Sequence, residues 1–315
     1  MIDKYMLQFA LSKGVGEVAV KKAISLLHEC GCSWYDLIHD RMLLRKINVR
    51  DAVRENIGLQ SGQAETLYNE LNDNGIDILS ENDRKYPEYL KKMLGAKCPP
   101  ILFASGNIDL LNTLAVGFCG SRKTSEKGLG IASECAEQLV AQNITVVSGY
   151  AKGTDMSVHK AALKNGGRTI CVLAEGILKY RKKREIREYI SDDNCLYVSQ
   201  FMPNTVWNSG NAMRRNSIII GLSRAMILVE SGKSGGTFSA GKEALRVHCP
   251  LFVIDFAQPE VSAEANPYFI KAGGTPIRGV NGSPNISKVL EVLKSDEKGR
   301  GEADTKKYCQ IAMML

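Results

Sequence analysis

What this chain lacks narrows it first. No run of about 18 apolar residues occurs, so a membrane-spanning helix is not expected. The amino terminus, MIDKYMLQFALSKGVG, has no basic leader followed by a sustained apolar stretch, which argues against a secretory signal. There are only four histidines, and no CxxC spacing among nine cysteines, whose closest pair is Cys30 and Cys32. A zinc site is therefore not expected, and no residue is assigned as a metal ligand. Cys119, Cys171 and Cys249 lie in or beside apolar runs, where small buried thiols sit. That placement favours a reducing compartment, the cytoplasm, over a disulfide framework.

The composition that remains is ordinary for a globular chain, with 44% hydrophobic and 24% charged residues. A length of 315 residues suits one main domain plus a smaller one. The net charge of +7 is compatible with a polyanionic partner without establishing one. Local clusters say more: KYRKKREIR from Lys179 to Arg187, and the pair Arg214-Arg215. A charge run is usually a solvated face, so the first cluster assigns nothing alone.

Residues 1–75 read as a helical unit, with apolar positions at helical spacing in VAVKKAISLLHE and SWYDLIHD. Within it, LSKGVGEVAVKKAI places a Gly14-Val15-Gly16 turn before a helix carrying Lys21 and Lys22. This resembles a helix-hairpin-helix or SAM-like unit, whose helix-start N–H groups can meet a DNA phosphate; the plainer reading is a glycine turn between packed helices. A second unit, 76–285, begins with a short strand, a Tyr-Pro turn, a helix and a strand after Pro99-Pro100. Apolar runs then recur at LAVGFCG, ITVVSGY, TICVLAEG, LYVSQF, AMILVES and PLFVIDF, mostly with helix-like segments between them. Such alternation from Thr113 to Ile277 specifies a Rossmann-like, doubly wound, mostly parallel α/β sheet. The remainder, 286–315, reads as a short helix and a charged, flexible tail that ends in CQIAMML.

Ligands of such sheets bind where loops leave the strand ends. Three of these loops are rich in glycine, hydroxyls and cations. The first runs Gly120-Ser121-Arg122-Lys123-Thr124, the second Ser148-Gly149-Tyr150-Ala151-Lys152-Gly153, and the third Gly232-Lys233-Ser234-Gly235-Gly236-Thr237. Glycine lets backbone approach an anion, helix-start N–H groups point at it, and Ser or Thr adds a donor. Three such loops at one sheet edge form a phosphate cradle. The nucleotide-cofactor fingerprints are absent. Gly128 and Gly130 fall too far into a helix and lack a third glycine, and GKSGGT lacks the Walker spacing. No cofactor is assigned.

Single residues each have a plain reading. Asp155 and His159, four apart on a helix, form an acid–base pair or, more simply, a cap and a loop-bonding histidine. Glu230, at a strand end, is a base or the partner of Lys233 or a loop N–H. Lys242 lies near the third loop, where surface placement explains it as well as ligand contact. Trp34 reads as core, and Trp207, in the polar loop PNTVWNSGN, as a candidate for base stacking.

These blocks resemble, in order, the DprA/Smf family of DNA-processing proteins. Tyr86-Pro87 and PPILFASGN match its opening; GSRKTSEKG matches its GSR loop; SGYAKGTDMSVHKAALKNGGRTICVL matches its SG-x-A-[RK]-G-x-D block. RRNSIIIGLSRAMILVESGKSGGTFSA and NPYFIKAGGTPI match its later segments. The resemblance implies a single-stranded-DNA-binding protein that catalyses nothing, protects incoming strands and assists a RecA-type recombinase in transformation, and a homodimer is expected. It implies that Arg122 and Lys152 contact phosphates, that Ser121, Ser148 and Gly149 shape the pocket, and that Arg214, Arg215 and Asn216 add a basic wall. The site assigned in full is Gly120, Ser121, Arg122, Lys123, Ser148, Gly149, Lys152, Gly153, Arg214, Arg215, Asn216, Lys233, Ser234, Gly235 and Thr237, with no catalytic residue.

Departures from the family pattern gather near the pocket: Ala212-Met213 for Phe-Pro, Ser217 for the last arginine, Gln200 for glutamate, Asp255-Phe256 for Pro-Gly, and Tyr180-Arg181 across the Tyr-Pro. A winged-helix domain, which some relatives carry, is not expected from these segments. An enzyme reading stays beside the binding one, because SGGTFSAG resembles the loop of LOG-type phosphoribohydrolases; there Ala240 stands where that chemistry needs glutamate. A sensor of a nucleotide-derived ligand is the third reading.

Overall fold

Glycine turns and side-chain caps cut the start of the chain into short helices. The computed structural model describes residues 4–295. Helix α1 (Lys4–Leu11) leads through the Gly14–Gly16 turn into α2 (Glu17–Cys30), which stops at Gly31 in the left-handed region, φ 66°, where a side chain would be strained. Ser33 and Asp36 form a reciprocal capping box for α3 (Trp34–His39), and the Asp40 carboxylate caps α4 (Arg41–Lys46). Helices α5 (Asp51–Leu59) and α6 (Ser61–Asp73) complete the helical part.

Strand β1 (Ile76–Ser80), α7 (Glu88–Leu94) and β2 (Ile101–Gly106) lead into the alternating region. It runs β3 (Ala115–Cys119), α8 (Glu126–Val140), β4 (Thr145–Ser148), α9 (Thr154–Lys164), β5 (Thr169–Val172), α10 (Arg184–Arg187) and β6 (Cys195–Ser199). After these come α11 (Ser209–Leu222), β7 (Ala225–Leu228), α12 (Gly236–Arg246), β8 (Leu251–Ile254), α13 (Asn266–Lys271) and β9 (Thr275–Ile277). A small hairpin of β10 (Gly279–Val280) and β11 (Ser283–Pro284) precedes a helix over 287–295. The flexible tail expected beyond it lies outside the described residues.

The main sheet has nine strands in the order β1-β2-β6-β5-β4-β3-β7-β8-β9. Pairs β1–β2 and β2–β6 are antiparallel and the other six are parallel. The doubly wound, mostly parallel α/β fold expected from the strand–helix alternation is therefore present. Every residue of β3 through β8 is buried, as in a sheet covered on both faces. One face packs on α7, α11, α12 and α13 through Leu90, Ile218, Ala244 and Phe269. The other packs on α8, α9 and the final helix through Cys135, Leu139, Val158 and Val289. A third core joins Met6, Phe9, Leu37 and Leu71 of the opening helices to Phe103, Leu173, Ile186 and Tyr197 of the sheet unit. The opening helices thus share a core with the sheet. Trp34 belongs to that core, which settles its plain reading.

Among the described residues no helix is long and apolar enough to cross a membrane, and no cluster of three or more His, Cys, Asp or Glu could hold a metal ion. The cysteines described are free thiols.

Candidate nucleic-acid interface

Strand order runs one way from β3 to β6 and the other way from β7 to β9, so the switch point lies between β3 and β7. A phosphate would ordinarily sit there, at the start of α8. The chain fills this place itself. Glu230, just past β7 and 1% exposed, accepts a hydrogen bond from the Ser125 backbone N–H at 3.0 Å and another from the Ser125 hydroxyl. Its own carbonyl accepts from the Ser121 N–H at 3.0 Å, which ties the first loop to β7. Gly128 leaves room for the carboxylate: a Cβ there would stand 2.3 Å from Glu230 Oε1. Glu230 is thus a cap for α8, of the loop N–H kind, and its charge meets the positive end of the helix dipole.

The open cavity lies one step along the edge, over the ends of β3, β4 and β5. It measures about 410 Å³ and is lined by Arg122, Tyr150, Ala151, Lys152, Ala174, Glu175, Trp207 and Arg215. Arg122 and Lys152 are exposed, and the Arg122 guanidinium lies 5.3 Å from the Trp207 ring centre. Arg215 comes from α11 beneath them and is only 7% exposed. It donates from Nη1 to the Val172 carbonyl at 2.6 Å, stands 3.9 Å from the Asp155 carboxylate, and leaves Nε without a partner. Burial lowers its pKa, yet an arginine remains a cation in water-accessible protein sites. Its approach requires a glycine below it, since a Cβ on Gly149 would stand 1.8 Å from Nη1.

Behind the cavity the loops are held by internal bonds. Ser148 Oγ lies 2.8 Å from Asp155 Oδ1 and 3.0 Å from the Phe118 carbonyl, while Asp155 Oδ2 accepts from the Ala151 N–H at 3.2 Å. His159 Nε2 donates to the Gly149 carbonyl at 2.6 Å and Nδ1 faces the Thr169 hydroxyl at 2.6 Å. Burial lowers this histidine to about 4, so the imidazole is neutral. Asp155 and His159 therefore build the loop, in keeping with their simpler reading. Gly120 packs on Thr154, and Gly153 takes φ 79° beside the Ser121 and Arg122 backbone. The Ser121 hydroxyl accepts from the Lys123 N–H at 3.0 Å, and the Lys123 side chain is exposed.

Other assigned residues do not reach this cavity. Arg214 turns away: it pairs with Glu17 at 2.6 Å, lies over the Phe201 ring, and lines a separate cleft against the Gly14–Gly16 turn. Asn216 donates to the Gly236 carbonyl at 3.1 Å, joining α11 to the third loop. Lys233 bridges Glu264 at 3.0 Å and, with Ser234, Gly235 and Thr237, stays outside the cavity lining. The basic wall is thus Arg215 alone. Sequence reasoning passed over Tyr150 and Glu175, both in runs it had quoted. It also left Lys183 inside a charge run, although Lys183 Nζ donates to the Tyr150 carbonyl at 2.7 Å and is half-buried beneath the loop.

Comparison with known proteins places this geometry in a context. Residues 77–283 match the family described as DNA recombination-mediator protein A. The DNA processing protein DprA of Streptococcus pneumoniae is 33% identical over 174 residues, 55% of this chain and 60% of that protein. Protein Smf of a Synechocystis species is 28% identical over 264 residues, 79% and 63% of the two chains. The chain therefore spans about three fifths of the length of these curated relatives. An X-ray structure of the pneumococcal protein superposes with a TM-score of 0.74 at 24% identity, covering 88% of this chain and 95% of that one. The DNA processing protein A of Helicobacter pylori, solved for its single-stranded-DNA binding mode, superposes with a TM-score of 0.57 at 24% identity, covering 70% and 96%.

Proposed function

Because the chain belongs to the DNA recombination-mediator protein A family, we propose that it binds single-stranded DNA through the sugar–phosphate backbone. The observation that carries this reading is the convergence of Arg122, Lys152 and the buried Arg215 on one open cavity beside Trp207. Three cations at one strand edge supply the phosphate contacts, and an exposed indole supplies a face for a base. Binding led by phosphates is weakly sequence-dependent at most positions and falls as salt rises.

The protein acts as a binder in the cytoplasm. Ala240, buried on α12, stands where the hydrolase reading needs a glutamate, and the Glu230 carboxylate is spent on capping α8. Delivery of the strand to a RecA-type recombinase, and a homodimer as the active form, complete the reading and rest on the family relationship.

The test is a salt series with a labelled single strand. The parent protein is expected to bind at low salt, and Arg122→Ala to weaken binding several-fold. Loss of one phosphate contact also lowers the slope of log K against log salt by about 0.7. A variant that binds as well as the parent, or a parent that does not bind at low salt, sinks the reading. Release of free base from AMP or GMP would point to the hydrolase instead.

A further inference from the structure

A site for phosphate alone has no use for a carboxylate, yet this cavity contains one. Glu175 follows β5 and lines the same cavity as Arg122, Lys152 and Arg215. Among the described residues its carboxylate makes no hydrogen bond or ion pair; only its backbone carbonyl is engaged, by Ser199 Oγ at 2.7 Å. Its charge is felt by Arg215 and by Lys183, but neither comes within pairing distance. A half-buried, unpaired carboxylate repels a bare phosphate and must lose water when a ligand enters. A ligand that is anionic at one end and carries N–H donors at the other satisfies both the cations and this carboxylate.

A nucleotide has that polarity. The cavity, about 410 Å³, lies within the roughly 300–1,000 Å³ of small-molecule sites, so one phosphate and one base can share it. Trp207, 46% exposed and next to Arg122, offers the base a stacking face. Single-stranded bases are read in this way, on their Watson–Crick edges while stacked on an aromatic ring.

We propose that Glu175 makes guanine the preferred base of the strand at this cavity. This rests on the DNA-binding reading above. Guanine presents two adjacent donors, N1–H and the N2 amine, which match the two oxygens of a carboxylate. Cytosine and adenine each present one amine beside an acceptor nitrogen. Thymine presents a single N3–H flanked by two carbonyls, which the carboxylate repels. Binding is therefore indifferent to sequence along most of the strand and selective at one position. The expected order is guanine first and thymine last.

Fluorescence anisotropy with short labelled oligonucleotides tests this on the full chain. A thymidine strand carrying interspersed guanines is expected to bind about tenfold more tightly than thymidine alone, the scale of one good bidentate base contact. Inosine, which lacks the N2 amine, falls between them. Glu175→Gln removes the preference and strengthens thymidine binding, since the charge that repels the phosphate and the thymine carbonyls has gone. Trp207→Ala weakens all strands alike. Equal affinity for every strand, or a guanine preference that persists in Glu175→Gln, overturns the proposal while leaving strand binding intact. Failure to bind any strand would instead remove the DNA reading and this inference with it. Displacement of the strand by free dGMP at the strand's own concentration would assign the site to a free nucleotide and overturn the strand form.

Discussion

His159 is neutral inside the fold because burial outweighs the opposing pull of the Gly149 carbonyl and Asp155. Its folded pKa of about 4 lies below the ordinary value near 6.5. Its contribution to stability is therefore complete above the unfolded value and is lost as pH falls from about 6.5 toward 4. The loss is on the order of 3 kcal/mol, because each pKa unit is worth about 1.4 kcal/mol. Thermal unfolding of the parent is expected to weaken across that window, and His159→Gln to lose that part of the pH dependence. An unchanged slope in the variant would remove His159 from the account. At this scale the cradle was partly legible. Arg122 and Lys152 follow strand ends and must emerge at the ligand edge. Arg214 and Arg215 read as one basic knot, yet adjacent helical residues point about 100° apart, so one enters the cavity and the other meets Glu17. Glu175 was invisible as a site residue because an acid does not resemble a phosphate ligand.

Helix α8 shows what the sequence carries at the scale of an element. That a helix covers Gly128 and Gly130 was readable, and their rejection as a dinucleotide fingerprint agrees with their place inside it. A loop N–H was one partner open to Glu230, but that it is the Ser125 N–H at this helix start was not readable, because the two residues lie 105 positions apart. Glu230→Ala removes a buried, charged acceptor from Ser125 and leaves a space beside Gly128. Hydrogen bonds to charged groups contribute about 1.5–3 kcal/mol, so a loss of about 2 kcal/mol is expected in denaturant unfolding. Glu230→Gln keeps the shape and should lose less. If both variants are as stable as the parent, the carboxylate is not a cap of consequence. The six apolar runs were each legible as strands because parallel strands are buried on both faces. Strand β9 was missed, since Thr275–Ile277 is too short and too polar to form such a run. The antiparallel attachment of β1 and β2 depends on edge pairing, which has no local signature.

Across the whole molecule, the boundary near residue 75 is a change of texture in the sequence and not a break in packing. Helical periodicity gives way there to strands, but the apolar faces on both sides meet in one cluster that includes Phe9, Trp34, Phe103 and Tyr197. The exposed Arg214–Glu17 ion pair also spans the two parts, yet a pair of that exposure contributes at most about 1 kcal/mol. Burial of the aromatic and aliphatic side chains, about 1.5–3 kcal/mol each when complete, decides the matter. The full chain should therefore unfold in one transition, with helical and aromatic signals changing together. A chain beginning at Ile76 would expose the Ile101 and Phe103 face, and it is expected to melt lower and to aggregate. Two separated transitions in the full chain, or a truncated chain that stays monomeric with an unchanged Tm, would show that the opening helices are an independent domain. Either result would also detach the Gly14–Gly16 turn from the cradle. In the shared-core arrangement Arg214 holds that turn beside α11, the helix that delivers Arg215 to the phosphate site. Loss of the opening helices should then weaken strand binding as well as stability, although none of them lines the cavity.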